Sequence, residues 1–420
     1  MDTLRIRGGR RLHGEWTVHS AKNAVLPIMA ASILTGKPTA LENCPNLSDI
    51  AYMGDILRML GCGVQASEGA LVIDPQGLCR YEMPDELAKK IRSSIFLMGP
   101  ILARFRRATV TFPGGCEIGM RPIDLHLSGL KQLGVRIVEE RGVIHCDGRQ
   151  MRAGAVHFDY PSVGATENVM MAAVLLNGVT RLHNVAREPE IVDLQQFLNR
   201  MGAKVSGAGT HTISVEGVAE LRGVCYTPMP DRIVAGTLLA AAAITGGAVK
   251  LRNVLCCDLC AVFAKLREMG CEINEQETSV TLSAPERLTA FAQLQTQPHP
   301  GFPTDMQVQM LALATIAKGT SVVVENVFEN RFTHAGDLNR MGANVMVNGR
   351  MAIVQGVEAL YGACVTARDL RGGAALTLAG LGARGETIVE RAELIDRGYE
   401  KLEDMLSALN ADVRRETVDA

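Results

Sequence analysis

The chain has 420 residues, 47% of them hydrophobic and 21% charged, with 43 Lys and Arg against 45 Asp and Glu. That is enough apolar material for the cores of two or three domains and excludes wholesale disorder. The net charge of −2 lacks the basic surplus of a general nucleic-acid binder, and an aromatic content of 4% disfavours base-stacking platforms and aromatic sugar clefts.

The N-terminal residues show no apolar run leading to a small-residue cleavage site. The longest apolar stretch, Ile233 to Ile244, is shorter than the ~18–20 residues a membrane span needs. Eleven cysteines, an odd number in a long chain, read as reduced thiols. A cytoplasmic protein with no membrane or nucleic-acid partner is expected.

Along the chain one phrase recurs: a helix end, then Gly, then a short apolar-alternating strand. Its copies are Met59-Leu60-Gly61, Gln132-Leu133-Gly134, Arg200-Met201-Gly202, Glu268-Met269-Gly270, Arg340-Met341-Gly342 and, with Asn for Gly, Ala408-Leu409-Asn410. The spacings are 73, 68, 68, 72 and 68 residues. Gly or Asn there supplies the left-handed residue that closes a helix before a strand. Each copy opens with a helix of small residues, as in Asn23 to Leu34, Thr166 to Leu176, Ile233 to Ile244 and Met306 to Ala317. A turn and strand follow (Val179 to Asn184, Ala248 to Asn253, Thr320 to Asn326), then an amphipathic helix running to the Gly phrase, then a hairpin.

The stretch Val234 to Ile244 is apolar nearly all round, so it is expected to be buried on every side. The strands alternate, so one face of each sheet should meet water. Helices inside and sheets outside reverse the TIM-barrel order. The expected fold is α/β: six βα repeats, three closing around each of two helical centres, with the break near Pro228 to Asp231.

Several common sites are absent. There is no Gly-x-x-x-x-Gly-Lys-Ser/Thr loop, no Gly-x-Ser-x-Gly elbow and no His-Glu-x-x-His helix, and Gly207-Ala208-Gly209 lacks the third glycine of a dinucleotide fingerprint. Cys257-Asp258-Leu259-Cys260 has ligand spacing but no second pair, so buried thiols rather than zinc are expected.

Charged residues gather instead where the inner helices begin. Ser20-Ala21-Lys22-Asn23 reads as a serine cap with a cation in the first turn, which opposes the helix dipole and suits an anion-binding end. Arg92-Ser93-Ser94, Ser162-Val163-Gly164-Ala165-Thr166, Asp231-Arg232, Pro303-Thr304-Asp305 and Asp369-Leu370-Arg371 hold equivalent places in other copies. Arg331 and Arg397 sit on turns after repeat strands. One copy carries an inserted loop, Pro113-Gly114-Gly115-Cys116-Glu117-Ile118-Gly119-Met120-Arg121-Pro122, which presents a thiol beside an arginine in the manner of an active-site lid. Several arginines, a lysine and a few carboxylates suit a multiply charged anion plus proton transfer.

Taken together, Ser20 to Ala24, Pro113 to Pro122, Ser162 to Thr166, Ala186 to Asp193, Phe302 to Asp305, Val327 to Arg331, Asp369 to Arg371 and Asp396 to Tyr399 closely resemble the bacterial enolpyruvyl transferases, particularly those that act on a nucleotide sugar. The resemblance runs from end to end. It implies the two-lobed inside-out α/β barrel of that family, with one lobe over about residues 22–229 and the other formed by 1–21 and 230–420. The active site would lie in the cleft between them. The substrates would be phosphoenolpyruvate and UDP-N-acetylglucosamine, with neither metal nor organic cofactor, and a monomer is expected. Phosphate would be released in a first committed step of peptidoglycan precursor synthesis.

The resemblance also assigns roles. Cys116 would protonate C3 of phosphoenolpyruvate or assist product release, and would be the site alkylated by fosfomycin. Asp305 would be the base for the sugar hydroxyl. Lys22, Arg121 and Arg397 would hold the phosphate, Arg331 and Arg371 the carboxylate, with Asn23 and Asp369 assisting. Arg92 would contact the nucleotide, and Pro122, Ile123, Asp124, Leu125, Ser162, Val163, Gly164 and Val327 would line the nucleotide-sugar site. Tyr160-Pro161 precedes Ser162 where some members carry a lysine. Two rivals differ in their predictions. An enzyme acting on shikimate 3-phosphate has no use for the Cys116 loop, and a non-catalytic regulator would lack an acid or base, whereas Cys116 and Asp305 are both present.

Overall fold

A computed structural model describes residues 2–67, 69–112 and 123–417. They divide into two compact units, and the chain passes from one to the other at residues 19–20 and again at 229–230.

In the unit of residues 20–112 and 123–229, three inner helices are Lys22–Ala31, Met98–Phe105 and Val163–Ala173. The Val163–Ala173 helix buries every residue from Ala165 on, because no side of it carries a polar stripe. Three sheets cover them. In the first, Thr39–Glu42 pairs antiparallel with the hairpin strand Ala70–Asp74 and parallel with Cys225–Tyr226. In the second, Val179–His183 pairs antiparallel with Thr212–Glu216 and parallel with Ala155–His157. The third joins Arg107–Thr111 to Val143–Asp147, with a parallel bridge from Glu82 to Thr109. Alternation puts Thr180 and Leu182 in the core and Val179 and Arg181 outside, so each sheet is buried on its helix side only.

The unit of residues 2–19 and 230–417 repeats this plan. Its inner helices are Arg232–Ile244, Thr304–Ala314 and Leu370–Gly382, each packed on the other two. All thirteen residues of Arg232–Ile244 are buried. Some polar groups of these helices pair with one another: Gln309 Nε2 donates to Thr237 Oγ1 at 3.0 Å, and the Thr237 and Tyr399 hydroxyls lie 2.9 Å apart. Ala248–Arg252, Thr320–Val324 and Glu386–Glu390 each centre a four-stranded sheet with one parallel neighbour. The last repeat lacks a hairpin partner of its own. Strand Asp2–Arg7 supplies it, pairing antiparallel with both Glu386–Glu390 and Asp412–Thr417 and so tying the chain's two ends together.

The helix-closing phrase behaves as its composition requires. Gly61, Gly134, Gly202, Gly270, Gly342 and Asn410 all have positive φ, between 74° and 106°. Two local readings change. The first inner helix is α-helical only to Ala31 and tightens into a 3-10 turn over Ser32–Leu34. Ser20 does not cap it: the helix starts after Ala21, and the Ser20 hydroxyl donates to the Pro228 carbonyl at 3.0 Å.

Candidate functional site

Charged residues stand at the starts of the inner helices. In the 230–417 unit, Asp305 lies in the first turn of Thr304–Ala314, whose N-cap is Pro303 with no side-chain cap. Its Oδ1 accepts from Arg331 Nη2 at 2.8 Å and its Oδ2 from Arg371 Nη2 at 3.1 Å. The arginine side chains are 2% and 4% exposed and the carboxylate 26%, so two buried cations hold one carboxylate that still opens outward. Asp369 caps the Leu370–Gly382 helix, its Oδ1 accepting from the Arg371 and Gly372 amides at 3.0 Å each. A Cβ on Gly372 would stand 2.8 Å from Asp369 Oδ2, which explains the glycine. Burial opposes the charge of Arg371, but Tyr399, Asp305 and Asp231 outweigh it and raise its pKa.

This cluster is not self-sufficient. Arg331 Nε, Arg371 Nε and Nη1, Asp369 Oδ2 and both ring nitrogens of His334 are buried with no hydrogen-bond partner among the described residues. Burial pulls His334 down to about 4, against the pull of Asp369. Leaving a buried polar group unsatisfied costs about 1–3 kcal/mol. Three such guanidinium donors beside a half-open carboxylate therefore mark a place for a small anion with a nearby proton acceptor.

Glu325, fully buried, organises the ground around Asp305. Its Oε1 accepts from Thr296 Oγ1 and the Val327 amide at 2.8 Å and from the Phe328 amide at 3.1 Å. Its Oε2 accepts from Thr304 Oγ1 at 2.9 Å. One carboxylate thus ties the turn bearing Val327 to the residue before Asp305. Arg397 ends the 3-10 turn Ala392–Arg397. The neighbouring Asp396 is gripped by Arg415 at 2.9 and 2.6 Å, and Arg415 also binds Glu403 at 2.6 Å.

In the 20–229 unit, Lys22 is the first residue of its helix and forms a buried pair with Asp49, Nζ to Oδ2 2.6 Å, while Asn23 is exposed. Arg92 begins the 3-10 turn that leads into Met98–Phe105. Ser162 caps Val163–Ala173, its Oγ accepting from Ala165 N at 3.4 Å, and Val163 and Gly164 are half-buried there. Ile123 is buried, Leu125 half-buried, and Asp124 exposed at the start of Asp124–Gln132. Cys116, Arg121 and Pro122 lie outside the described residues.

The structure therefore brings Asp305, Arg331 and Arg371 into direct contact, with Asp369 at the same helix start. It gives Lys22 a partner, Asp49, that sequence reasoning did not find: an acid in the first turn of an amphipathic helix looks like any dipole-complementing residue. Glu325, His334 and Arg415 were missed as well. For Glu325 a signal existed, a carboxylate directly after the strand Thr320–Val324. Among the described residues no group of three or more His, Cys, Asp or Glu is placed to hold a metal ion, and no helix is long and apolar enough to cross a membrane.

Comparison with known proteins agrees with this architecture. Residues 6–406 match the family described as EPSP synthase (3-phosphoshikimate 1-carboxyvinyltransferase). The enolpyruvyl transferase NikO from Streptomyces tendae superposes with a TM-score of 0.90 at 24% identity, covering 100% of this chain and 99% of that one. EPSP synthase from Acinetobacter baumannii superposes with a TM-score of 0.76 at 17% identity over 99% of this chain and 100% of that one. The chain belongs to the enolpyruvyl transferase family, has its fold and is a transferase. Its similarity to particular members goes further. It is 50% identical, over 99% of its length and all of the relative, to UDP-N-acetylglucosamine 1-carboxyvinyltransferase 2 of Caldanaerobacter subterraneus subsp. tengcongensis. It is 52% identical to UDP-N-acetylglucosamine 1-carboxyvinyltransferase 1 of Symbiobacterium thermophilum, covering 98% of this chain and 94% of the relative. It is 48% identical to UDP-N-acetylglucosamine 1-carboxyvinyltransferase of Myxococcus xanthus, over 99% of this chain and all of the relative.

Proposed function

We propose that this enzyme transfers the enolpyruvyl group of phosphoenolpyruvate to the 3-hydroxyl of UDP-N-acetylglucosamine, releasing phosphate, in the cytoplasm and at the start of peptidoglycan precursor synthesis. The observation that carries the reading is Asp305 held between Arg331 and Arg371 with three further guanidinium donors unsatisfied. The names of relatives sharing about half its residues point the same way.

In this reading Asp305 takes the proton of the sugar hydroxyl, whose oxygen bonds to C2 of phosphoenolpyruvate while C3 gains a proton. The tetrahedral adduct then loses phosphate, and C3 gives the proton back. C2 becomes cation-like on the way, so a carboxylate nearby stabilises it while cations hold the leaving phosphate and the substrate carboxylate. Arg331 and Arg371 take the carboxylate; Lys22, Arg121 and Arg397 take the phosphate; Asn23 and Asp369 assist. Cys116 either protonates C3 or speeds product release. Arg92, Pro122, Ile123, Asp124, Leu125, Ser162, Val163, Gly164 and Val327 receive the nucleotide sugar.

The test is phosphate release from phosphoenolpyruvate with UDP-N-acetylglucosamine or shikimate 3-phosphate as acceptor. Release with the nucleotide sugar alone is expected. Release with shikimate 3-phosphate instead would overturn the substrate and keep the family. Fosfomycin should add one adduct, at Cys116, and none to Cys116→Ser. Four of the other thiols are poor nucleophiles, since burial pushes Cys44, Cys62, Cys146 and Cys271 up to about 12.

A further inference from the structure

Asp369 is held through one oxygen only. Its Oδ1 caps the Leu370–Gly382 helix and accepts two amide protons, which fixes where the carboxylate stands. Its Oδ2 is buried and has no hydrogen-bond partner among the described residues. A carboxylate oxygen taken out of water calls for a donor.

His334 stands next to it. It holds the N-cap of the Ala335–Arg340 helix and is 1% exposed, and both of its ring nitrogens are buried and unpartnered among the described residues. Gly372 shows how the two side chains meet. A Cβ built there would lie 2.8 Å from Asp369 Oδ2 and 3.5 Å from His334 Cβ, so the oxygen and the histidine flank one point from two sides. Burial is the leading influence on the ring and keeps it neutral; the Arg331 charge adds to it, while Asp369 and the Arg331 backbone pull the other way. A neutral imidazole has one N–H to give. Of the two acceptors that draw on that proton, the charged oxygen is the stronger claimant. Neither end has a partner within direct hydrogen-bond reach, so the link between them is one water wide: a water that accepts from the ring and donates to Oδ2.

We propose that neutral His334 is the positioning residue of Asp369, giving its N–H to Oδ2 through one bridging water. This rests on the reaction proposed above, in which Asp369 assists beside a C2 that becomes cation-like. A cation in the place of the ring would cancel the charge of the carboxylate. A neutral donor aims it and leaves that charge to act on the reacting carbon.

The experiment has a crystallographic arm and a kinetic arm, both on the full chain. A crystal structure of the wild type should show a water within about 3.2 Å of one His334 ring nitrogen and of Asp369 Oδ2. The kinetics compare wild type, His334→Phe, His334→Asn, His334→Gln, Asp369→Asn and the double variant His334→Phe/Asp369→Asn. His334→Phe keeps the ring's bulk and loses the donor, so kcat should fall about tenfold or more, the effect of one hydrogen bond to a charged group. KM for UDP-N-acetylglucosamine should stay near wild type. Asn sets a donor near the place of Nδ1 and Gln near that of Nε2, so one of the two should recover most of the loss. Asp369→Asn keeps the helix cap and removes the acceptor, and in that background His334→Phe should change kcat by less than about twofold. A loss confined to thermal stability, recovery by neither donor, or losses that multiply in the double variant would make His334 a packing residue and overturn the inference. So would a crystal structure in which nothing joins the ring to Oδ2. Should His334→Phe fail to fold, the crystal structure and the Asn and Gln variants decide. The crystallographic link is read without turnover, so a wild type inactive on UDP-N-acetylglucosamine would overturn the proposed substrate and leave that link to be judged by itself.

Discussion

The two units share one plan, three larger sheets wrapped on three buried helices, but they finish those helices with different chemistry. In the 230–417 unit aspartates stand at all three helix starts. Asp231 caps the Ile233 and Val234 amides at 2.8 and 2.9 Å, Asp369 caps Arg371 and Gly372, and Asp305 sits in a first turn between two arginines. In the 20–229 unit the corresponding places hold Lys22, Arg92 and Ser162. A carboxylate at a helix N-terminus is favourable by roughly 0.3–1 kcal/mol and a cation is unfavourable by a similar amount. One unit therefore neutralises its helix ends, while the other keeps them positive and offsets Lys22 with Asp49. The packing plan is common to both units, while the helix starts form a carboxylate-bearing set in one and a set bearing cations and a serine in the other.

The sharpest way to break that contrast is to remove Asp305, the carboxylate proposed to serve chemistry rather than capping. Asp305→Asn should lower phosphate release with UDP-N-acetylglucosamine by about 10²–10⁴-fold, the usual worth of a positioned base. A loss below tenfold would put the base elsewhere.

Next in size is the buried pair of the other unit. Lys22→Met leaves Asp49, 4% exposed, without its 2.6 Å partner. Breaking such a pair on one side typically costs about 3–5 kcal/mol, whereas replacing both partners by apolar groups is far milder. Urea unfolding should show that loss in Lys22→Met and its partial recovery in Lys22→Met/Asp49→Leu. Activity should not recover in the double variant, because Lys22 is proposed to serve the phosphate. Recovery of both would reduce Lys22 to a structural counter-ion.

Glu325 tests whether the carboxylate-bearing set needs support from behind. Glu325→Gln substitutes one of two oxygens that together accept four hydrogen bonds. The expected cost is about 1–3 kcal/mol of stability, with a rise in KM for the nucleotide sugar, since Val327 and Thr304 both hang on that carboxylate. A stability loss with unchanged KM would confine Glu325 to holding the fold.

How much of this was legible beforehand follows from the range of each interaction. The six helix closures could be read because each depends on one backbone angle and one residue type, and the inner helices because apolarity on every face, in a stretch too short to span a membrane, calls for burial on every side. The charged helix starts could be read because repetition puts them at equivalent places. Asp49, Glu325, His334 and Arg415 could not. Each owes its place to neighbours brought near by tertiary packing, as Asp49 does to Lys22. In a linear reading each is simply a polar residue in or beside a helix or strand.

The smallest predicted effect tests the trait both units share. Gly202 closes its helix at φ 103° with nothing within 4 Å of where a Cβ would stand. Gly202→Ala therefore carries no clash, and its cost is the left-handed backbone alone, about 1–2 kcal/mol. Gly202→Asn should cost less, since asparagine tolerates that region, and Asn410 holds the same place in the sixth copy at φ 74°. Asn410→Gly should then be close to neutral, its easier backbone set against a more flexible unfolded chain and the loss of a long 3.5 Å bond to the Arg11 carbonyl. The order Ala worst, Asn intermediate, Gly best at residue 202, read by thermal unfolding, would show that the closure is a backbone requirement. Equal stability of all three would mean that the helix end relaxes, and that the recurring glycine answers to something other than its φ.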